Sequence, residues 1–204
     1  MLKSASVSRG VQANDKTSRP CQDAVSAFGD WAPLEWSLAD FMVMVRLYCD
    51  GDWPALWRML RPVFRAGETY ACPRDVDEAQ THTYWVGSAT ACWVAEHNGL
   101  VIGSYYVKPN QPGQGSHVSN CGYVVAAEAR NRGVAAALCT HSQAEAVRLG
   151  FRAMQFNLVA STNSAAVHLW QRLGYHIVGR LPGAFCHPQQ GDVDAFVMYK
   201  RLVD

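Results

Sequence analysis

The chain has little net charge, no long apolar run and no clustered cysteines. Across 204 residues, 18 Lys and Arg against 17 Asp and Glu leave a formal charge of +1. That balance speaks against DNA or RNA as a partner, because nucleic-acid binders concentrate Lys and Arg on one face. Apolar stretches such as Phe41 to Val45, closed off by Asp40 and Arg46, fall far short of the ~18 residues that cross a bilayer, so no membrane association is expected. The seven cysteines (21, 49, 72, 92, 121, 139 and 186) are odd in number, scattered, without a C-x-x-C pair and without a secretory leader before them. They read as reduced thiols in a cytoplasmic setting. Neither they nor the seven histidines stand at zinc-ligand spacing, so no metal is expected.

What is present is 49% apolar and 17% charged composition, which fits one globular domain, or one domain with a tail. Residues 1–40 carry scattered Ser, Asp, Lys and Gly without an apolar period. They read as a poorly ordered N-terminal extension, an inert tail or a start codon placed upstream of Met42 or Met44. From residue 41 to 204, turn signals cut the chain into short alternating segments. Strands are expected at 42–48, 92–97, 100–108, 117–125, 152–159, 175–181 and 193–202, with Asn98-Gly99 as a hairpin turn. Helices are expected at 53–64, 75–84, 131–149 and 163–173. The fold class is α/β (α+β), a single domain in which about seven strands are flanked by about four helices.

The most informative stretch is Arg130-Asn131-Arg132-Gly133-Val134-Ala135, at a strand-to-helix junction. There the unpaired N–H groups of the first helical turn point outward together and the helix dipole adds partial positive charge, which suits a pyrophosphate. Gly133 removes the side chain that would keep a phosphate off the backbone, Ala135 keeps the next turn thin, and Arg130 and Arg132 add charge. No Gly-Lys-Ser/Thr and no G-x-G-x-x-G accompanies it, which disfavours nucleoside triphosphates and NAD. A solvated helix start with two surface arginines is the plainer alternative.

About 20 residues further on come Asn157-Leu158-Val159-Ala160-Ser161-Thr162-Asn163, then Ala166, Leu169-Trp170 and Leu173-Gly174-Tyr175. Together with Tyr123 to Ala135, this resembles the GNAT superfamily of acetyl-CoA-dependent N-acetyltransferases over roughly residues 42–203. The resemblance implies a mixed, mostly antiparallel sheet whose central strands, at 117–125 and 152–159, splay apart. Acetyl-CoA would be the co-substrate, its pantetheine in the gap, its pyrophosphate on the N–H groups of Arg132, Gly133, Val134 and Ala135, with Asn163 reaching the pantetheine arm. A backbone N–H near Val124 or Val125 is the expected donor to the developing oxyanion. Gly122 in mid-strand fits either a close backbone approach or a packing accommodation. Many relatives carry Tyr where this chain has Trp170, and that phenol protonates the departing thiolate; an indole cannot, so Trp170 is read as packing.

The run His117 to Tyr123, the pair Asn157-Leu158 and the tail Gly179 to Ala184 resemble the subgroup that acetylates proline analogues such as azetidine-2-carboxylate. In that subgroup residues matching Asn120 and Asn157 orient the amino acid or a water, and the aromatic matching Tyr123 shapes the pocket. A small-molecule amine acceptor follows, acetylated directly in a ternary complex, and a homodimer is the assembly the reading allows. Phosphinothricin-like amines, or a non-catalytic acetyl-CoA-binding module, are the alternatives. Glu68, Asp192, Asp194, His117 or an Asn120-held water are the candidate bases, Arg74 or Arg180 the candidate carboxylate partners, and Cys121 or Cys139 the less favoured acyl carriers.

Overall fold

The computed structural model describes residues 34–38 and 41–203. Among these described residues eight strands form one sheet: β1 (Leu34–Leu38), β2 (Phe41–Leu47), β3 (Ala91–His97), β4 (Leu100–Pro109), β5 (Val118–Val125), β6 (Ala153–Ala160), β7 (His176–His187) and β8 (Gly191–Arg201). Four helices flank it: α1 (Trp53–Ala66), α2 (Glu78–His82), α3 (Val134–Arg148) and α4 (Ser164–Arg172). The strand order is β1-β2-β3-β4-β5-β6-β8-β7, antiparallel throughout except for β5 beside β6. All seven expected strands and four expected helices are present, so the predicted architecture holds.

The departures have local reasons. Leu34–Leu38 is a strand paired with Phe41–Val45, which corrects the expectation that everything before residue 41 lacks regular structure; residues 1–33 and 39–40 lie outside the described residues. The β7 strand continues past Leu181 to His187, because on the outermost strand Pro182 can face its missing N–H away from the ladder; a register shift between Leu181 and Phe185 absorbs the Pro-Gly pair. The Asn98-Gly99 turn is as expected, with φ of 49° and 76°, the left-handed pair that matches strand twist. Cys49 is disulfide-bonded, which corrects the expectation of seven reduced thiols, whereas Cys72, Cys92, Cys121, Cys139 and Cys186 are free.

Strand alternation sends successive side chains to opposite faces. On one face Leu56, Leu60 and Phe64 of α1 and Trp85 of the π turn after α2 bury Cys92, Tyr106 and Val124. On the other, Tyr105 meets His141 of α3 (hydroxyl to Nδ1, 2.6 Å), and Trp170 of α4 packs on Tyr123 and Phe156 at ring separations of 5.0 and 5.2 Å. Burying such aromatic side chains removes ~150–250 Å² each from water and dominates the stability of this architecture.

His141 carries a pH signature. Burial is the main cause that lowers its pKa from 6.5 to about 4, with Arg148 assisting and Glu145 opposing. The folded state therefore binds this proton later than the unfolded chain does. Stability is intact above about pH 6.5 and falls as the pH drops toward 4, by up to about 3 kcal/mol. Urea titrations at pH 7.5 and 5 are expected to show a lower midpoint at pH 5, and His141→Gln should flatten that difference. An equal drop in the variant would assign the pH dependence to other groups.

Candidate active site

The two parallel strands touch only at their beginnings. Val118 pairs with Ala153 and Ser119 with Met154, and no pairing follows along the remaining six residues of either strand. The fork is therefore closed at Ser119 and open toward Val125. Asn120 sits at its apex, where its Nδ2 donates to the Gln155 carbonyl across the parting strands at 2.9 Å. That bond satisfies a carbonyl that the missing ladder leaves behind.

Along the open edge of β5, alternation decides which backbone groups face the gap. The Tyr70 hydroxyl, from the loop after α1, accepts from the Tyr123 N–H and donates to the Tyr123 carbonyl, both at 2.8 Å. Tyr123 thus turns its backbone away from β4. Just beyond the strand, the Ala126 N–H bonds the Ile102 carbonyl at 2.9 Å, so even-numbered residues face β4. Val125 presents its N–H to the gap and Val124 does not, so of these two alternative donor candidates Val125 is the one on the open edge.

At the mouth of the fork, α3 begins with Gly133 as N-cap at φ 78°, ψ −5°, and no side chain caps the helix. Gly133 is the residue that takes this left-handed conformation without strain. The N–H groups of Val134, Ala135 and the residue after them point out of the helix end. Arg130, Asn131 and Arg132 are exposed beside them. The Arg132 guanidinium lies over the Phe41 ring at 5.1 Å, which keeps its charge at the helix end. Uncapped N–H groups, a residue without a side chain and adjacent cations fit a pyrophosphate.

The remaining predicted residues are each fixed by their own neighbours. Asn163 caps α4, its Oδ1 accepting from Ala166 N–H at 3.2 Å. Tyr123 directs its side chain toward α3, where its hydroxyl meets Ser142 at 2.7 Å; it backs the gap from the face opposite Asn120. Trp170 is buried against Tyr123, Phe156 and Tyr175, as the packing reading required. Asn157, exposed on β6, is held by Gln155 and Asn110 at 2.9 and 2.7 Å. Gly122 is explained by packing: a Cβ there would stand 2.5 Å from Tyr106 Cε1.

The candidate bases and anchors thin out. His117 precedes the closed end of the fork and bonds the Gln114 carbonyl at 3.0 Å. The Gly183 N–H and then Arg180 hold Asp194 below the ordinary carboxylate range, which also occupies Arg180. Arg74 donates to the Arg65 carbonyl at 2.8 Å. Burial pushes the thiols of Cys121 and Cys139 up, which disfavours either as an acyl carrier at neutral pH. Among the described residues no group of three or more His, Cys, Asp or Glu converges as a metal site, and no helix is long and apolar enough to cross a membrane. Tyr70, Tyr84, Tyr106 and Lys108, which line the α1/α2 side of the fork, were not singled out from the sequence. Tyr70 reaches a strand 53 positions away, a contact no local period announces; a Lys following the aromatic pair Tyr105-Tyr106 on a strand was the one available signal.

Comparison with known proteins agrees with this geometry. The N-acetyltransferase aca1 of Schizosaccharomyces pombe is 36% identical over 103 residues, 48% of this chain and 47% of that protein. The chain thus matches about half the length of that curated relative. A GCN5-related N-acetyltransferase from Kribbella flavida superimposes with a TM-score of 0.74 at 43% identity, covering 78% of this chain and 97% of that one. A phosphinothricin acetyltransferase from Sinorhizobium meliloti, solved with acetyl-CoA, shares the fold at a TM-score of 0.70 and 19% identity, over 79% of this chain and 89% of that one. The profile of the acetyltransferase (GNAT) family matches residues 53–175, and with the forked strands and the uncapped helix end the chain belongs to that family of N-acetyltransferases.

Proposed function

We propose that this chain transfers the acetyl group of acetyl-CoA directly, in a ternary complex, to the amine of a small amino-acid-like acceptor. Cyclic secondary amines of the azetidine-2-carboxylate type come first and phosphinothricin-like primary amines second. The observation that carries the acceptor class is the row of neutral amides at the fork. The Asn120 side chain donates to the Gln155 backbone carbonyl, and Asn157 bonds the side-chain amides of Gln155 and Asn110, with no carboxylate among these side chains. Such a wall offers little to a polycation and suits a small zwitterion.

In this reading the N–H groups from Arg132 to Ala135 hold the pyrophosphate of the co-substrate, with Arg130, Asn131 and Arg132 around them. Asn163, besides capping α4, has its Nδ2 left for the pantetheine arm. The Val125 N–H stabilises the negative charge that develops on the thioester oxygen. A water held at Asn120 takes the ammonium proton, since only the neutral amine attacks. Tyr123 shapes the gap from behind. The Trp170 indole supplies no proton at neutral pH, so sulfur departs as the thiolate, acceptable for a thiol of pKa ~8.5. Among the described residues five cysteines are free and one, Cys49, is bridged; the preponderance of free thiols favours a cytoplasmic setting.

A CoA-release assay over a panel of amines tests the reading. Asn120→Ala and Asn157→Ala are expected to lower kcat/KM for the amine by about tenfold or more while acetyl-CoA affinity stays within about twofold. Full activity in both variants, or a polyamine or protein N-terminus outcompeting every amino acid, would overturn the acceptor assignment and leave the acetyltransferase family intact.

A further inference from the structure

One cation beside the fork has no carboxylate. Lys108 stands opposite Asn120 in the β4–β5 ladder, on the α1/α2 side of the sheet. Its Nζ lies 5.2 Å from the centre of the Tyr84 ring and 5.1 Å from that of Tyr106. The two phenol oxygens are 3.4 Å apart, and Tyr106 Oη is 3.5 Å from Asn120 Oδ1. Two aromatic faces therefore fix the position of a charge on an otherwise flexible side chain, because the ring quadrupole attracts an ammonium. Among the described residues no carboxylate lies within 4.0 Å of it. The other cations considered for the acceptor are engaged elsewhere, Arg180 by Asp194 and Arg74 by the Arg65 carbonyl.

We infer that Lys108, caged by Tyr84 and Tyr106, is the group that binds the carboxylate of the acceptor and so selects α-amino and α-imino acids over amines that lack one. The inference rests on the acceptor reading above and deepens it. The geometry gives it direction: in an α-amino acid the nitrogen is two bonds from the carboxyl carbon. A carboxylate anchored at Lys108 thus turns the nitrogen toward Asn120, the residue directly opposite, and toward the gap beyond it. A single fixed cation among neutral amides also repels a second cation, so diamines and polyamines are disfavoured on the same ground.

The test compares azetidine-2-carboxylate with its carboxamide in the wild-type protein, Lys108→Met and Lys108→Arg, with calorimetric binding of cyclopentanecarboxylate as a probe that carries the carboxylate and no amine. Wild type should prefer the acid by at least about tenfold in kcat/KM. Lys108→Met should erase that preference by lowering the acid alone, mainly through KM, and Lys108→Arg should restore part of it. Cyclopentanecarboxylate should bind wild type and not Lys108→Met. Equal losses for acid and carboxamide would show a merely structural Lys108 and overturn the inference. So would an unchanged acid rate in Lys108→Met, with the amino-acid acceptor reading left standing. Lys108-dependent binding of cyclopentanecarboxylate without acetylation of any amino acid would keep the carboxylate site and remove the acceptor reading; a wild type that neither binds cyclopentanecarboxylate nor acetylates any amino acid would remove both.

Discussion

Gly133→Glu is expected to weaken acetyl-CoA binding at least about 100-fold by calorimetry, equivalent to about 2.7 kcal/mol. Two effects combine. At φ 78° any side chain sits in a left-handed backbone region that costs roughly 1–2 kcal/mol outside glycine. In addition, a carboxylate at the N-cap lies against the N–H groups of the first turn of α3 and competes with the pyrophosphate for them. Gly133→Ala separates the two, because it carries the backbone strain without the charge. It should lower the melting temperature about as much as Gly133→Glu, by roughly 2–8 °C for a chain of this size, while losing far less affinity. Wild-type affinity in Gly133→Glu would move the pyrophosphate site away from this helix end.

The same junction shows what a sequence can disclose. Arg130 to Ala135 is a local feature: a strand ends, a glycine turns the chain and a helix begins, so every group that matters lies within six residues. Asn98-Gly99 is local in the same way. The β1 strand is faintly legible too, since Leu34, Trp36 and Leu38 alternate with Glu35 and Ser37, but five alternating residues after a long stretch without an apolar period give a weak signal. The acceptor side was not legible in this sense. Asn120 was singled out, yet its bond to Gln155 exists only because β5 and β6 part after two residue pairs, and that parting is a property of the sheet. Tyr123 turns its side chain to the α3 face and backs the gap from there, a consequence of strand direction that appears once the register is known. Lys108 acquires meaning only from Tyr84, 24 positions earlier, which folds over it from the turn after α2.

Gly122→Ala is expected to destabilise the protein by about 1–3 kcal/mol, the usual cost of forcing one more carbon into a filled core, and to raise KM for the amine. The new Cβ would lie 2.5 Å from Tyr106 Cε1, 2.9 Å from Cζ and 3.0 Å from Oη, so the ring must move. It has little room to do so: Tyr106 is 2% exposed and meets Trp85 at 5.0 Å and Tyr84 at 5.9 Å edge to face. Any displacement also carries away its contacts with Asn120 and Lys108, which is why the amine side should suffer while acetyl-CoA affinity changes little. A double-mutant cycle with Tyr106→Ala isolates the cause. Removing the ring costs about 3–5 kcal/mol by itself, the range for aromatic truncation in a core, but it removes the collision as well. Gly122→Ala should therefore be nearly neutral in the Tyr106→Ala background, with a coupling of at least about 1 kcal/mol in denaturant midpoints. Strict additivity would mean that Gly122 is demanded by the backbone or by a ligand in the gap, and that the Tyr106 ring is not what keeps this position free of a side chain.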